Sequence, residues 1–310
     1  MQLPKFRASA AGHLMSGGNT FTEKTFRKLI EYFIRDYTEG KNRIDNDVLS
    51  NCYSFQKFFN ENNFNQLNYD DNDFNTIAEK ATARKLTDNM KGELDALIEK
   101  VSQPFELGKT AKNYIETVWL EKEYNYISIV WTDEIMKGML HEQDSIGLLV
   151  EKDGVWRSKN TENFKDEFFT GTPDIILHND FGDIVEDVKT SWDLKTFFNV
   201  REIPELYFAQ AQVYMNLTGA KEFRLHYCLV NTSPELIQSQ IKRVFYRFGA
   251  EEENPHFEEF VETYSNNHKF DQIPLEKRIK TFEIKYDQNY VDELIFRAKA
   301  GLEYYKTLSL

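Results

Sequence analysis

Phe168-Phe169-Thr170-Gly171-Thr172-Pro173-Asp174-Ile175-Ile176-Leu177 and, after a turn-like His178–Gly182, Ile184-Val185-Glu186-Asp187-Val188-Lys189-Thr190 are the stretch on which the fold is decided. The first run reads as one strand, with Pro173 confined to an edge or bulge because it has no N–H to give a ladder. The second reads as its hairpin partner. Residues two apart in a strand share a face, so Asp187 and Lys189 project together while Glu186 and Val188 project the other way. The hairpin brings Asp174, thirteen residues upstream, beside Asp187. Two carboxylates then face one lysine. Carboxylates this close repel unless a hard cation lies between them, and Mg²⁺ or Mn²⁺ favours such oxygen ligands. A metal lowers the pKa of its bound water, supplying a hydroxide for attack on phosphorus, and Lys189 orients that water and neutralises charge developing on the phosphoryl oxygens. Asp-X-Lys alone is a weak signal. An exposed ion pair plus a turn aspartate accounts for the same three residues.

Outward from this hairpin, apolar spacing predicts an amphipathic helix over Thr20–Lys41 starting near Thr22, with Phe26, Leu29, Ile30, Phe33 and Tyr37 on its inner side. The Asn-rich stretch 58–75 shows no period and reads as a loop or insertion. Helical patterns resume over 76–101 and 109–124, with a break around Pro104–Gly108. A helix through Glu142 and Leu149 ends at the turn Asp153-Gly154. After the hairpin come a helix over Glu205–Leu217 stopped at Gly219, a strand over Glu222–Val230, more helix, and a strand over Thr281–Tyr286. These elements describe a mainly helical region over 1–132 joined to an α/β core over 133–310. The acidic run Glu251-Glu252-Glu253 reads as a solvated loop.

The 310 residues, 41% hydrophobic and 29% charged, are enough to bury a sizeable core. No apolar run approaches the ~20 residues of a membrane helix, and the N-terminal residues lack the apolar core of a secretion signal. The expectation is a soluble, cytoplasmic protein. Two cysteines, Cys52 and Cys228, exclude a disulfide framework and four-thiolate zinc or iron–sulfur sites. The net charge of −13 runs against the basic excess of most nucleic-acid binders. Local potential matters more than this sum, and carboxylates that bind cations count as acidic only until the metal arrives.

Phe169-Thr170-Gly171-Thr172-Pro173-Asp174 with Asp187-Val188-Lys189-Thr190-Ser191-Trp192 resembles the signature of the PD-(D/E)XK nuclease superfamily. Upstream, Lys137-Gly138-Met139-Leu140-His141-Glu142 is similar to the helical motif whose acidic residue completes the metal site, a role that falls to Glu142. Downstream, Gln210-Ala211-Gln212-Val213-Tyr214 resembles the Gln-X-X-X-Tyr helix of RecB-like and lambda-exonuclease-like members. Gln210 and Tyr214 lie one turn apart on one face. The closest resemblance is to the YqaJ-type viral recombinases, and it extends over Phe6-Arg7-Ala8-Ser9 and Gly108–Ile115.

This resemblance implies a restriction-endonuclease-like α/β core with a central mixed β-sheet flanked by helices. It implies a Mg²⁺- or Mn²⁺-dependent exonuclease, with Asp174, Asp187 and Glu142 as metal ligands, Lys189, Gln210 and Tyr214 completing the catalytic set, and digestion of duplex DNA from a 5′ end. The partners it implies are double-stranded DNA ends, a single-strand annealing protein for the 3′ overhang, and further copies of the chain in a ring. Ser9 is expected near the 5′ phosphate, with Arg7 among several candidates for its arginine. The sequence departs from the family's frequent Glu by carrying Asp187. Lys195, close after the signature strand, is a candidate phosphate contact, whereas Lys112 and Arg201 read as solvated surface. His141 reads as structural in preference to a ligand, and Trp192 as core in preference to a base-stacking platform.

Overall fold

The structure, a computed structural model, describes residues 3–18, 21–38, 44–62, 66–81, 85–127, 131–248 and 255–310. In chain order the elements are β1 (Phe6–Arg7), a 3-10 turn (Ala8–Ala10), α1 (Gly12–Met15), α2 (Glu23–Tyr37), α3 (Asn46–Asn62), α4 (Asp71–Ala81), α5 (Asp88–Val101), α6 (Lys109–Tyr124), α7 (Asp133–Leu140) and α8 (Glu142–Asp153). There follow β2 (Phe164–Lys165), β3 (Phe169–Gly171), β4 (Ile175–Leu177), β5 (Ile184–Thr190), α9 (Leu194–Asn199), α10 (Glu205–Thr218), β6 (Glu222–Cys228), α11 (Pro234–Phe248), α12 (Pro255–Asn266), β7 (Ile279–Lys285) and α13 (Gln288–Thr307). Two compact units form. One comprises Met1–Pro4, His13–Leu120 and Gln288–Leu310, the other Lys5–Gly12 and Glu121–Asp287.

The regular elements of the first unit's described residues are all helices. Helix α2 starts at the expected place, capped by Thr22, which accepts from the Thr25 N–H. Tyr37, expected on the inner side, is 49% exposed in the last turn, whereas Phe26, Leu29, Ile30 and Ile34 are buried. They pack with Val48, Cys52, Phe59, Phe74 and Leu94 in one apolar cluster. The Asn-rich stretch corrects the expectation of a loop: α3 runs through Asn62 and α4 begins at Asp71. Amide side chains hold the connection. Asn60 both accepts from the Leu67 N–H and donates to the Leu67 carbonyl, and Gln56 does the same for Tyr69. Asp70 and Asp73 exchange side-chain-to-N–H bonds in a capping box that starts α4. Residues 63–65 lie outside the described residues. The pattern over 76–101 is two helices, α4 and α5, the second capped by Thr87.

The second unit carries the sheets. The larger has the order β4-β5-β6-β7, with β4/β5 and β6/β7 antiparallel and β5/β6 parallel, so it is a mixed sheet flanked by helices. The smaller has the order β1-β3-β2. The run from Phe168 to Leu177 is therefore not one strand. It leaves the small sheet after Gly171 and enters the large one at Ile175. Pro173 supplies no N–H at the crossing. The carbonyls there bond outside any ladder: Tyr214 Oη donates to Thr172 O, Asn160 Nδ2 to Pro173 O and the Asn160 N–H to Asp174 O. A second correction concerns the helix through Glu142, which breaks at His141 (φ −111°, ψ 17°) so that Glu142 opens α8. Gly154 ends α8 and Gly219 ends α10, both in left-handed conformation as expected of a glycine C-cap. Cys52 and Cys228 are buried free thiols. No helix of the described residues is long and apolar enough to cross a membrane. The run Glu251–Glu253 lies outside the described residues.

Candidate active site

The register of β4 on β5 pairs Ile175 with Glu186, so the next residue back, Asp174, stands opposite Asp187. The Val188 N–H donates to Asp174 Oδ2 at 2.9 Å, which fixes the Asp174 carboxylate against the strand. Asp187 is 2% exposed, and Lys189 Nζ lies against its Oδ2 on the same strand face. The expected alternation holds on the other face: Val188 packs with Ile146, Leu149 and Ile175, and Glu186 is fully buried against Arg157, whose Nε donates at 2.7 Å.

Helix α10 covers the Asp187 face. Gln210, 4% exposed, points one amide group at both Asp187 Oδ1 and Tyr214 Oη, each at 3.3 Å. Tyr214 Oη in turn donates to Thr172 O at 3.1 Å. Gly171 is required for this contact, because a Cβ there would stand 2.6 Å from the Tyr214 ring and 2.7 Å from Ala8 Cβ. The Gln-X-X-X-Tyr pair thus ties the crossing between the sheets to the carboxylate on β5.

Glu142 enters from α8. Its Oε2 accepts from Lys159 Nζ at 2.6 Å, whereas its Oε1 is buried without a hydrogen-bond partner among the described residues. Glu142, Asp174 and Lys189 line one cleft of 470 Å³ with Gly138, Trp192 and Tyr207. Lys189 Nζ lies 5.0 Å from the centre of the Tyr207 ring.

The electrostatics follow from this crowding. Burial, then the charge of Asp187, pushes the Asp174 carboxyl up to about 7, against the opposing Val188 N–H and Lys189. Burial works to lower the Lys189 pKa, but Asp187 holds it above the ordinary lysine range. Burial, reinforced by Asp187, raises Tyr214 to about 12, so its hydroxyl stays a donor at neutral pH.

The chemistry of the donor set fits a hard divalent cation. It offers two opposed carboxylates, of which burial and mutual repulsion disfavour both being charged without a cation, and a third with an unpartnered buried oxygen. The set is not closed into a chelate: among the described residues no three His, Cys, Asp or Glu side chains are gathered tightly enough to hold an ion, and Lys189 and Lys159 neutralise Asp187 and Glu142.

The remaining sequence candidates are dispersed. Ser9 is exposed in the 3-10 turn that follows β1, and Arg7, also exposed, pairs with Glu121. Lys195 lines a separate groove with Leu194, Phe198 and Phe270. Both ring nitrogens of His141 are engaged, Nδ1 with Asp144 at 2.7 Å and Nε2 accepting from the Ser233 N–H at 3.0 Å, which makes it structural. Trp192 is half-buried, edge-on to His268 and facing the cleft. Sequence reasoning missed Lys159, Tyr207 and Asn160. None carries a local motif, since each reaches the site through loop or helix geometry.

No family model matches the chain, and no curated protein matches it. Among solved structures it is similar to a phage related exonuclease from Haemophilus somnus 129PT, with TM-score 0.51 and 23% identity over 64% of this chain and 82% of that one. It also matches an alkaline exonuclease from Laribacter hongkongensis, alone (TM-score 0.44) and in complex with dAMP (TM-score 0.43), each at 13% identity over 64% of this chain and 81% of that one. The first likeness shows that the mixed α/β core is a fold this chain shares with a nuclease.

Proposed function

We propose that the chain is a metal-dependent deoxyribonuclease, an exonuclease acting 5′ to 3′ on linear duplex DNA. The observation that carries the reading is the register that sets Asp174 opposite Asp187, with Lys189 on the same face and Gln210 and Tyr214 fixing them from α10. Three of the sequence motifs line one cleft through Glu142, Asp174 and Lys189, the fourth reaches Asp187 through Gln210, and the fold is one shared with an exonuclease. End polarity and the role in recombination come from the resemblance of the motifs to the YqaJ-type recombinases.

Asp174, Asp187 and Glu142 would hold Mg²⁺ or Mn²⁺, which supplies a nucleophilic hydroxide near neutral pH and charge stabilisation at phosphorus. Lys189, held protonated by Asp187, orients the attacking water and neutralises the phosphoryl oxygens. Gln210 keeps Asp187 Oδ1 in place, and Tyr214 keeps Gln210 in place. The cleft opening past Trp192 and Tyr207 offers aromatic surface to the substrate. A ring of copies encircling the product, and a single-strand annealing protein receiving the 3′ overhang, belong to the same proposal.

The test is digestion of linear and covalently closed circular duplex with Mg²⁺ or chelator. Metal-dependent loss of the linear form with the circle intact supports an exonuclease. Nicking of the circle would make the protein an endonuclease on the same fold.

A further inference from the structure

α11 is amphipathic in an unusual sense for so acidic a chain. Leu236, Ile237 and Ile241 are each 6% exposed, and Phe245 packs on Phe257 of α12, so its inner side is accounted for. The outer side presents Lys242, Arg243, Tyr246 and Arg247, all exposed. They stand at i, i+4 spacing in two rows, Lys242 above Tyr246 and Arg243 above Arg247, which puts them on one face. With Asp133, Ser239, Gln240 and Val244 they line a concavity of 810 Å³.

This concavity adjoins the candidate active site. Arg243 pairs with Asp133 in the first turn of α7, and the next residue, Glu134, lines the catalytic cleft. Consecutive residues of α7 thus line the two. Tyr246 is 79% exposed, a large ring left in water beside the cations. Among the described residues, Lys242 and Arg247 form no ion pair.

We propose that this face of α11 is a track for the phosphate backbone of DNA, guiding a strand past α7 to the cleft. The inference rests on the nuclease reading and deepens it. Charge complementarity argues for nucleic acid: a protein partner is bound through a desolvated apolar centre, whereas here Val244 and the exposed Tyr246 are the apolar lining residues, and three cations outnumber the single carboxylate, Asp133, which Arg243 neutralises. Long basic side chains with neutral donors beside them are what phosphate contacts use. A locally basic track also answers how a chain of net charge −13 engages a polyanion.

The experiment is fluorescence anisotropy of an end-labelled duplex in chelator across a salt series, comparing the full chain with its Lys242→Gln/Arg247→Gln variant. Two lost phosphate contacts lower the slope of log K against log salt by about 1.8 and weaken binding at low salt about tenfold or more. The exchange Lys242→Arg/Arg247→Lys restores both, and unchanged thermal unfolding shows that the Gln variant is folded. Equal slope and affinity in parent and Gln variant would overturn the track while leaving the nuclease reading standing. Loss of polyglutamate binding with duplex binding retained would assign the face to an acidic protein and overturn it too. Absence of salt-dependent duplex binding in the parent itself marks failure of the nuclease reading, and the track falls with it.

Discussion

Lys189 and Asp187, two residues apart on β5, lie in direct contact on one face of the strand, the ammonium against Asp187 Oδ2. The lysine keeps a nearly fully buried carboxylate neutralised, and under the proposed function it also addresses the phosphoryl group. These roles separate on mutation. Lys189→Met removes a cation that competes for Asp187, so Mn²⁺ affinity measured by calorimetry is retained or raised, while cleavage falls by about 10²–10³-fold. A parallel loss of metal binding would show that Lys189 only supports the carboxylate.

Asp187→Asn removes the charge that Lys189 and Gln210 are arranged around. DNA cleavage falls at least about 100-fold, and the Mn²⁺ titration weakens with it. Duplex binding in chelator persists, since that contact does not run through Asp187.

Tyr214→Phe deletes the donor to Thr172 O and the acceptor for Gln210. The expected cost is about 1 kcal/mol in stability and about a tenfold drop in cleavage, because Gln210 loses its second anchor. Gly171→Ala pushes on the same ring from the other side, and overpacking there costs about 1–3 kcal/mol by denaturant unfolding.

Strand β5, helix α10 and the strands β6 and β7 are legible because each carries a local signal: β-branched Ile184, Val185 and Val188 in β5, the Gly219 C-cap of α10, the alternation of Phe223, Leu225 and Tyr227 in β6, and Ile279, Phe282 and Ile284 in β7. Asp187 and Lys189 are legible for the same reason, since strand periodicity alone puts them on one face. The break at Thr172-Pro173-Asp174 is not, because the bonds that take its carbonyls out of the ladder come from Tyr214 and Asn160, outside the run. At the kink, His141 takes a bond from the Ser233 N–H, ninety-two residues away, besides its local contact with Asp144, and the distant partner is not legible in the sequence. The Asn-rich connection misled because Asn60 and Gln56 act as surrogate backbone partners, a role that has no period. Ser9, Arg7 and Lys195 were proposed from resemblance or position, and the structure does not draw them into the cleft.

Lys137 was visible only as part of a motif, yet it is fully buried and donates to Trp192 O at 2.8 Å. Burial lowers its pKa to about 7, against a counteracting Asp193. Between about pH 7 and the ordinary lysine range the unfolded chain holds a proton that the folded chain has lost, so stability rises with pH across that window. Below pH 7 the folded state carries the full cost of the buried ammonium. Lys137→Met is therefore more favourable to stability at pH 6 than at pH 9, by about 3 kcal/mol. Urea unfolding at the two pH values measures the difference, and a pH-independent effect contradicts the assignment.

Arg157 and Glu186 form a buried ion pair behind the catalytic face, with Asp153 closing the other side of the guanidinium. Arg157→Met leaves Glu186 buried with weaker partners, Arg224 at 3.8 Å and His226 at 3.4 Å. The loss is about 3 kcal/mol or more. Arg157→Met/Glu186→Gln recovers a substantial part of it, and additive losses in the double variant would contradict the pairing.

The most direct measurement is release of label from linear duplex DNA marked separately at each 5′ and each 3′ end, with Mg²⁺, with chelator, and with Asp187→Asn in place of the parent chain. The account predicts metal-dependent release of the 5′ label first, abolished by the chelator and by the substitution. Release that survives both, or no cleavage by the parent with any divalent metal, would contradict it.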